Sequence, residues 1–187
     1  MKKSIIVLIV IIAIIALVII SFIGKYNKLV TLQEKVENSS ANIDTMLQRR
    51  ADLIPNLVST VKGFSEHENE VIDKITTARA AMTGNNSTED KLKANDELNS
   101  ALKELFVIVE NYPVIQSSAN FIQLQDELAG SENRIAVARK DYNDAVKELN
   151  ATIKKFPNNI LAGMFNIEKA NYYEAAPEST AVPVVEF

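Results

Sequence analysis

The sequence has no cysteine, no tryptophan and a single histidine, and only 5 glycines are scattered among its 187 residues. The first absence rules out disulfides, thiolate metal ligands, a cysteine nucleophile and a lipid-modified cysteine. The histidine, His67, stands in the segment EHENE. An H-E-x-x-H zinc site needs a second histidine where Val71 stands, and an E-x-x-H carboxylate-bridged site needs a glutamate where Phe64 stands. The segment therefore reads as a solvated helix face, and no metal or cofactor is expected. Scarce glycine also leaves no phosphate loop and no nucleophile elbow, so no catalytic residue stands out and the chain is not read as an enzyme. Nor is there a lysine or arginine block. The 20 basic and 24 acidic residues are interspersed, and the net charge of -4 gives nucleic acid no footing.

What the sequence does have is one long apolar run. From Ile5 to Ile23, IIVLIVIIAIIALVIISFI carries no charge, and about twenty apolar residues suffice to cross a bilayer as a helix. A signal peptide would have a shorter apolar segment followed by a small-x-small cleavage site, which Gly24-Lys25-Tyr26 does not supply. Residues 1–24 are accordingly read as an uncleaved transmembrane anchor whose partner is membrane lipid. Lys2 and Lys3 on one flank nearly balance Lys25, Lys28 and Lys35 on the other. The Lys2-Lys3 start and the lack of cysteine lean toward a single-pass protein of the cell membrane with its bulk on the extracytoplasmic side.

Residues 25–176 show helical periodicity and no sustained strand alternation. Leu29, Leu32, Val36, Ile43 and Leu47 mark a helix over about 25–50. Asp52 is a favoured cap residue, which places Pro55 in the first turn of a second helix over about 53–83, where its missing N–H costs nothing. GNNSTED is a polar turn with Ser87 or Thr88 as cap. Leu92, Leu98, Leu102 and Val109 mark a third helix, about 88–111, stopping before Pro113. Phe121, Leu128, Ile135, Ala138, Tyr142 and Leu149 mark a fourth, about 117–156. The expected architecture is all-α: a transmembrane helix continuing into an antiparallel up-down four-helix bundle, with an extended tail over 177–187.

With the helices placed, YNKLVTLQEKVE, QRRADLIPNLVSTVKGFSEHE, TTARAA, ENYP, NFIQLQDEL, SENRIAVARKDYNDAV and FPNN together resemble the LemA family of bacterial membrane proteins. The resemblance covers nearly everything after the apolar run. It implies one N-terminal membrane helix and a helical bundle, and it brings no activity or catalytic residues with it. The sequence departs from the family pattern at Asn38-Ser39-Ser40, where the resemblance would place a tryptophan in a small, mostly apolar stretch.

Two groups of residues carry the functional expectations. In an up-down bundle QRRAD would gather with ENYP at the tip farthest from the membrane, so Arg49, Arg50, Asp52 and Tyr112 form a candidate surface for a protein partner. On that reading, alanine at both Arg49 and Arg50 costs about 1 kcal/mol, as for exposed pairs. Polar residues also interrupt the apolar seams at Ser39, Glu68, Asn95 and either Ser131 or Glu132. Glu68, Asn95 and Glu132 would form a polar layer across the bundle middle, neutralised by Arg134 or Lys62. The function expected is interaction or scaffolding at the cell envelope. A small-ligand or cation sensor using the polar layer is the alternative, followed by an enzyme of unknown reaction.

Overall fold

The computed structural model describes residues 2–62 and 69–173, and among them every regular element is a helix: α1 (Lys2–Ala51), α2 (Ile54–Lys62), α3 (Asn69–Thr83), α4 (Thr88–Val109), α5 (Pro113–Gln116), α6 (Ala119–Ile153) and α7 (Asn158–Met164). Helix α1 changes character along its length. The aliphatic side chains from Ile5 to Ile23 are exposed all round, whereas Leu29, Leu32, Val36, Ile43 and Leu47 are buried. The described residues contain one helix long and apolar enough to cross a membrane, and this is it.

Pro55 lies in the first turn of α2, where no intrahelical donor is missed. Only Asp52 and Leu53 interrupt the helices. The Asp52 amide still donates to the Gln48 carbonyl at 3.0 Å and the Leu53 amide to that of Arg50 at 3.1 Å, so the ladder tightens instead of stopping. Asp52 does not cap with its side chain, contrary to its residue type: the carboxylate accepts from Nε2 of Gln48 at 2.8 Å.

The chain forms two compact units, Met1–Asn38 with Asn143–Tyr172, and Ser39–Tyr142 with Tyr173–Phe187. In the second unit, α3 and α4 form a hairpin. Ser87 is the N-cap of α4: its Oγ accepts from the Asp90 amide at 3.1 Å and donates to the Asp90 carboxylate at 2.7 Å. Ser87→Ala is therefore expected to cost about 1 kcal/mol in urea unfolding, and Ser87→Thr little, because a threonine hydroxyl keeps both the acceptor and the donor. Lys74 on α3 pairs with Glu104 on α4 at 3.0 Å across the hairpin. Helix α6 closes the core with Phe121, Leu128, Ile135 and Ala138, and Phe121 meets Phe106 edge-on at 6.0 Å.

Tyr142 stacks on Tyr173 with ring centroids 4.1 Å apart, and Ser40 lies 3.5 Å from the Tyr173 hydroxyl. Burial first, then the neighbouring Tyr173, pushes the Tyr142 phenol up to about 12. A phenol that ionises later folded than unfolded stabilises fully below its unfolded value near 10, and that contribution is lost as pH rises through the folded value. Melting temperature is expected to fall more steeply from pH 10 to 12 in the native chain than in Tyr142→Phe.

In the first unit, Lys35 pairs with Glu148 at 2.9 Å, and the Asn150 side chain brackets Ala170, donating to its carbonyl at 2.9 Å and accepting from its amide at 3.1 Å. Two residues past the end of α7, Asn166 takes a left-handed φ of 52°, and the Ile167 amide donates to the Ala162 carbonyl at 2.9 Å. This six-to-one closure turns Ile167 inward, where it is buried with Leu161 and Ala162.

Candidate functional site: a buried arginine cluster

Arg50 is 2% exposed. The reason is its register: it lies three residues after Leu47 and four before Ile54, both buried, and therefore on the seam of α1. Its guanidinium meets two helices. Nη1 donates to Oδ1 of Asn95 and to Oε2 of Glu132, while Nη2 donates to Oδ1 of Asn99 at 2.6 Å. Asn95, itself fully buried, donates through Nδ2 to the same Glu132 oxygen at 3.2 Å. One turn of α4 supplies both asparagines, and Asp96 between them pairs with Arg139 of α6 at 2.8 Å.

The cluster thus joins two cations, Arg50 and Arg139, to two anions, Glu132 and Asp96, an arrangement that lets charges enter a core without a net imbalance. Burial lowers the Arg50 pKa from its ordinary value. Glu132 opposes that shift, Arg139 adds to it and Asp96 again opposes it. The guanidinium nevertheless stays a cation. Its Nε and that of Arg139 are buried without a hydrogen-bond partner.

A cavity of about 390 Å³ opens on this cluster between α4 and α6. It is lined by the polar Arg50, Asn99 and Glu132, by the apolar Leu102, Phe106, Leu128 and Ala129, and by Lys103 and Gln125.

The structure regroups the residues singled out from sequence. Asn95 and Glu132 do come together, but Arg50 neutralises the carboxylate. Arg134 is exposed, forms no ion pair among the described residues, and lines a separate groove with Arg49. Arg50 is not part of an exposed tip. It engages the middle of α4, and Asn95 lies 17 residues from Tyr112, roughly 25 Å along a helical path. The tip reading failed because it took Pro55 for a reversal of direction, whereas helical hydrogen bonds run almost through it. Arg49 and Asp52 are exposed, and Tyr112 is the half-buried N-cap position of α5. Ser131 is buried and donates to the Leu128 carbonyl at 2.7 Å, turned away from the cluster's hydrogen bonds. Glu68, His67 and the Lys62 side chain lie outside the described residues. Asn99, Asp96 and Arg139 were missed. Their signal was the i,i+4 spacing of Asn95 and Asn99 on a face otherwise occupied by Leu98, Leu102 and Leu105.

These features define a class: an all-helical protein with an N-terminal apolar helix and a polar cluster set in its helical core. A sequence model of the LemA family matches residues 39–187, and the chain belongs to that family. It is similar to Magnetosome protein MamQ 2 of Paramagnetospirillum magneticum, 30% identical over 179 residues, covering 82% of this chain and 66% of the relative. Magnetosome protein MamQ of Magnetospirillum gryphiswaldense is 26% identical over the same shares. Protein LemA of Metamycoplasma hominis is 24% identical over 159 residues, 83% of this chain and 71% of that one. The chain thus spans 66% of the length of the magnetosome relatives.

Proposed function

We propose that this chain is a single-pass membrane protein that holds an antiparallel up-down helical bundle on the extracytoplasmic side of the cell membrane, as an interaction or scaffold module with no catalytic step of its own. The observation that carries this reading is α1 itself, one helix that exposes only aliphatic surface over Ile5–Ile20 and then buries a stripe from Leu29 onward. The residue pairings support the alternation of helix directions. Partners on α4 advance from Lys91 to Asn95 and Asn99 as α1 advances from Asp44 to Arg50, whereas Lys74 of α3 reaches forward to Glu104. The exposed Arg49 and Asp52 are the proposed partner contacts, because an arginine without an internal partner keeps its donors for another protein. Affinity capture from detergent-solubilised membranes tests this: one stoichiometric protein partner, weakened by Arg49→Ala, is expected, and the reading fails if no protein co-purifies.

The cavity over Arg50 and Glu132 favours a second reading, a sensor for a small polar ligand, in which binding adjusts the packing of α4 against α6. A small molecule retained through purification with no protein partner is the result that would put this reading first.

A further inference from the structure

The segment FPNNILAGMFNI, Phe156 to Ile167, contains no charged residue, although charged residues bound it at Lys154, Lys155, Glu168 and Lys169. Helix α7 buries Leu161 and Ala162 inward and leaves Ile160 at 48% and Met164 at 68% exposure, one turn apart on its other side. Phe165 at 50% and Phe156 at 81% extend the same apolar surface past both ends of the helix. Four large exposed hydrophobes thus fall within ten residues, and exposed apolar side chains concentrated in this way mark a contact surface.

The patch stands at a defined height. The Phe165 ring lies on that of Tyr26, with centroids 4.4 Å apart. Tyr26 is three residues past Ile23, about 4.5 Å along α1, and the run from Ile5 to Ile23 rises about 27 Å. A bilayer has a hydrocarbon core of about 30 Å with an interfacial layer of about 5–8 Å on each side. If Ile5–Ile23 fills the core, Phe165 and Tyr26 fall within the interfacial layer, where aromatic rings are favoured. Lys25 and Lys28 flank Tyr26 in the chain, and Lys154 and Lys155 immediately precede Phe156 within the same compact unit. We infer that α7 with Phe156 and Phe165 is a second membrane-contact site, lying in the headgroup layer of a bilayer containing acidic lipids. It rests on the proposal that α1 spans the membrane. The apolar side chains enter the acyl boundary and the lysines meet the phosphates, each lysine contributing about five-fold to association with an acidic surface. The consequence is mechanical: a transmembrane helix can rotate and tilt freely, whereas one also held at α7 is fixed in both.

The absence of cysteine makes single-site labelling direct. The full chain is placed singly in nanodiscs containing phosphatidylglycerol, with an environment-sensitive fluorophore at Met164→Cys, Val18→Cys or Lys147→Cys and quenchers carried on the lipids. The expected result is a blue-shifted, lipid-quenched label at position 164, an equally quenched label at 18 and an aqueous, unquenched label at 147. Lys154→Glu with Lys155→Glu should reverse the blue shift at 164. An aqueous label at 164 beside a quenched one at 18 would overturn the contact and leave the anchor intact. A blue shift at 164 that lipid quenchers do not reach would overturn it in favour of protein covering the patch. An unquenched label at 18 would remove the anchor and this contact with it.

Discussion

Arg50→Ala is expected to lower the stability of the helical domain by about 3–5 kcal/mol, the range seen when one member of a buried ion pair is deleted. Three acceptors lose their donor at once, and Asn95, which has no solvent exposure, keeps an unsatisfied carbonyl oxygen. Glu132→Ala should cost less, toward the lower end of that range, because the Glu132 side chain is 35% exposed and water already shares in solvating it. Replacing the set together, as Arg50→Met, Asn95→Leu and Glu132→Leu, should be neutral or stabilising, since no charge is then left alone in the core. Urea unfolding followed by circular dichroism reads all three. A cost for Arg50→Ala near that of an exposed arginine, below about 1 kcal/mol, would mean the guanidinium is not in the core.

That expectation reverses the one drawn from sequence, and the reason is physical. The apolar seams were legible because burial of Leu29, Leu32, Val36, Ile43 and Leu47, and of Phe121, Leu128, Ile135 and Ala138, follows from helical spacing within one segment. The partners of Arg50 lie 45 and 82 residues away in sequence. The register that puts Arg50 on the seam between Leu47 and Ile54 shows only when α1 and α2 are read as one nearly continuous helix through Pro55, whereas Arg49, about 100° round the helix, is exposed. The polar layer was half legible for the same reason: Asn95 and Glu132 interrupt their stripes visibly, while the choice of Arg50 over Arg134 as their cation is a tertiary fact. Helix α7 was missed because Pro157 reads as an end, and a seven-residue helix offers too few turns for a period to show.

The other large effect lies in the apolar run. Apart from Ala13, Ala16 and Ser21, every residue from Ile5 to Ile23 is Ile, Leu, Val or Phe. At about 0.3–0.6 kcal/mol each, these favour insertion by on the order of 5–10 kcal/mol. An aspartate near the middle of the span costs about 2.5–3.5 kcal/mol, so Ile11→Asp with Ile15→Asp removes roughly 5–7 kcal/mol, most or all of the driving force. Synthesised in the presence of liposomes, the native chain should float with the lipid on a density gradient and the double variant should remain largely at the bottom. The single conservative change Ile11→Val should float as the native chain does. Floatation of the double variant at the native level would assign membrane association to some other part of the chain.

The central claim is that α1 is retained as a membrane-spanning anchor for the helical domain. Alkaline carbonate extraction of membranes from cells producing the full chain, with the intact mass of the recovered protein, tests it most directly. Spanning by some twenty apolar residues is effectively irreversible beside peripheral docking, so the protein should stay in the pellet with Ile5–Ile23 still attached. A folded domain found in the supernatant, either intact or lacking the residues before Gly24, would contradict the account.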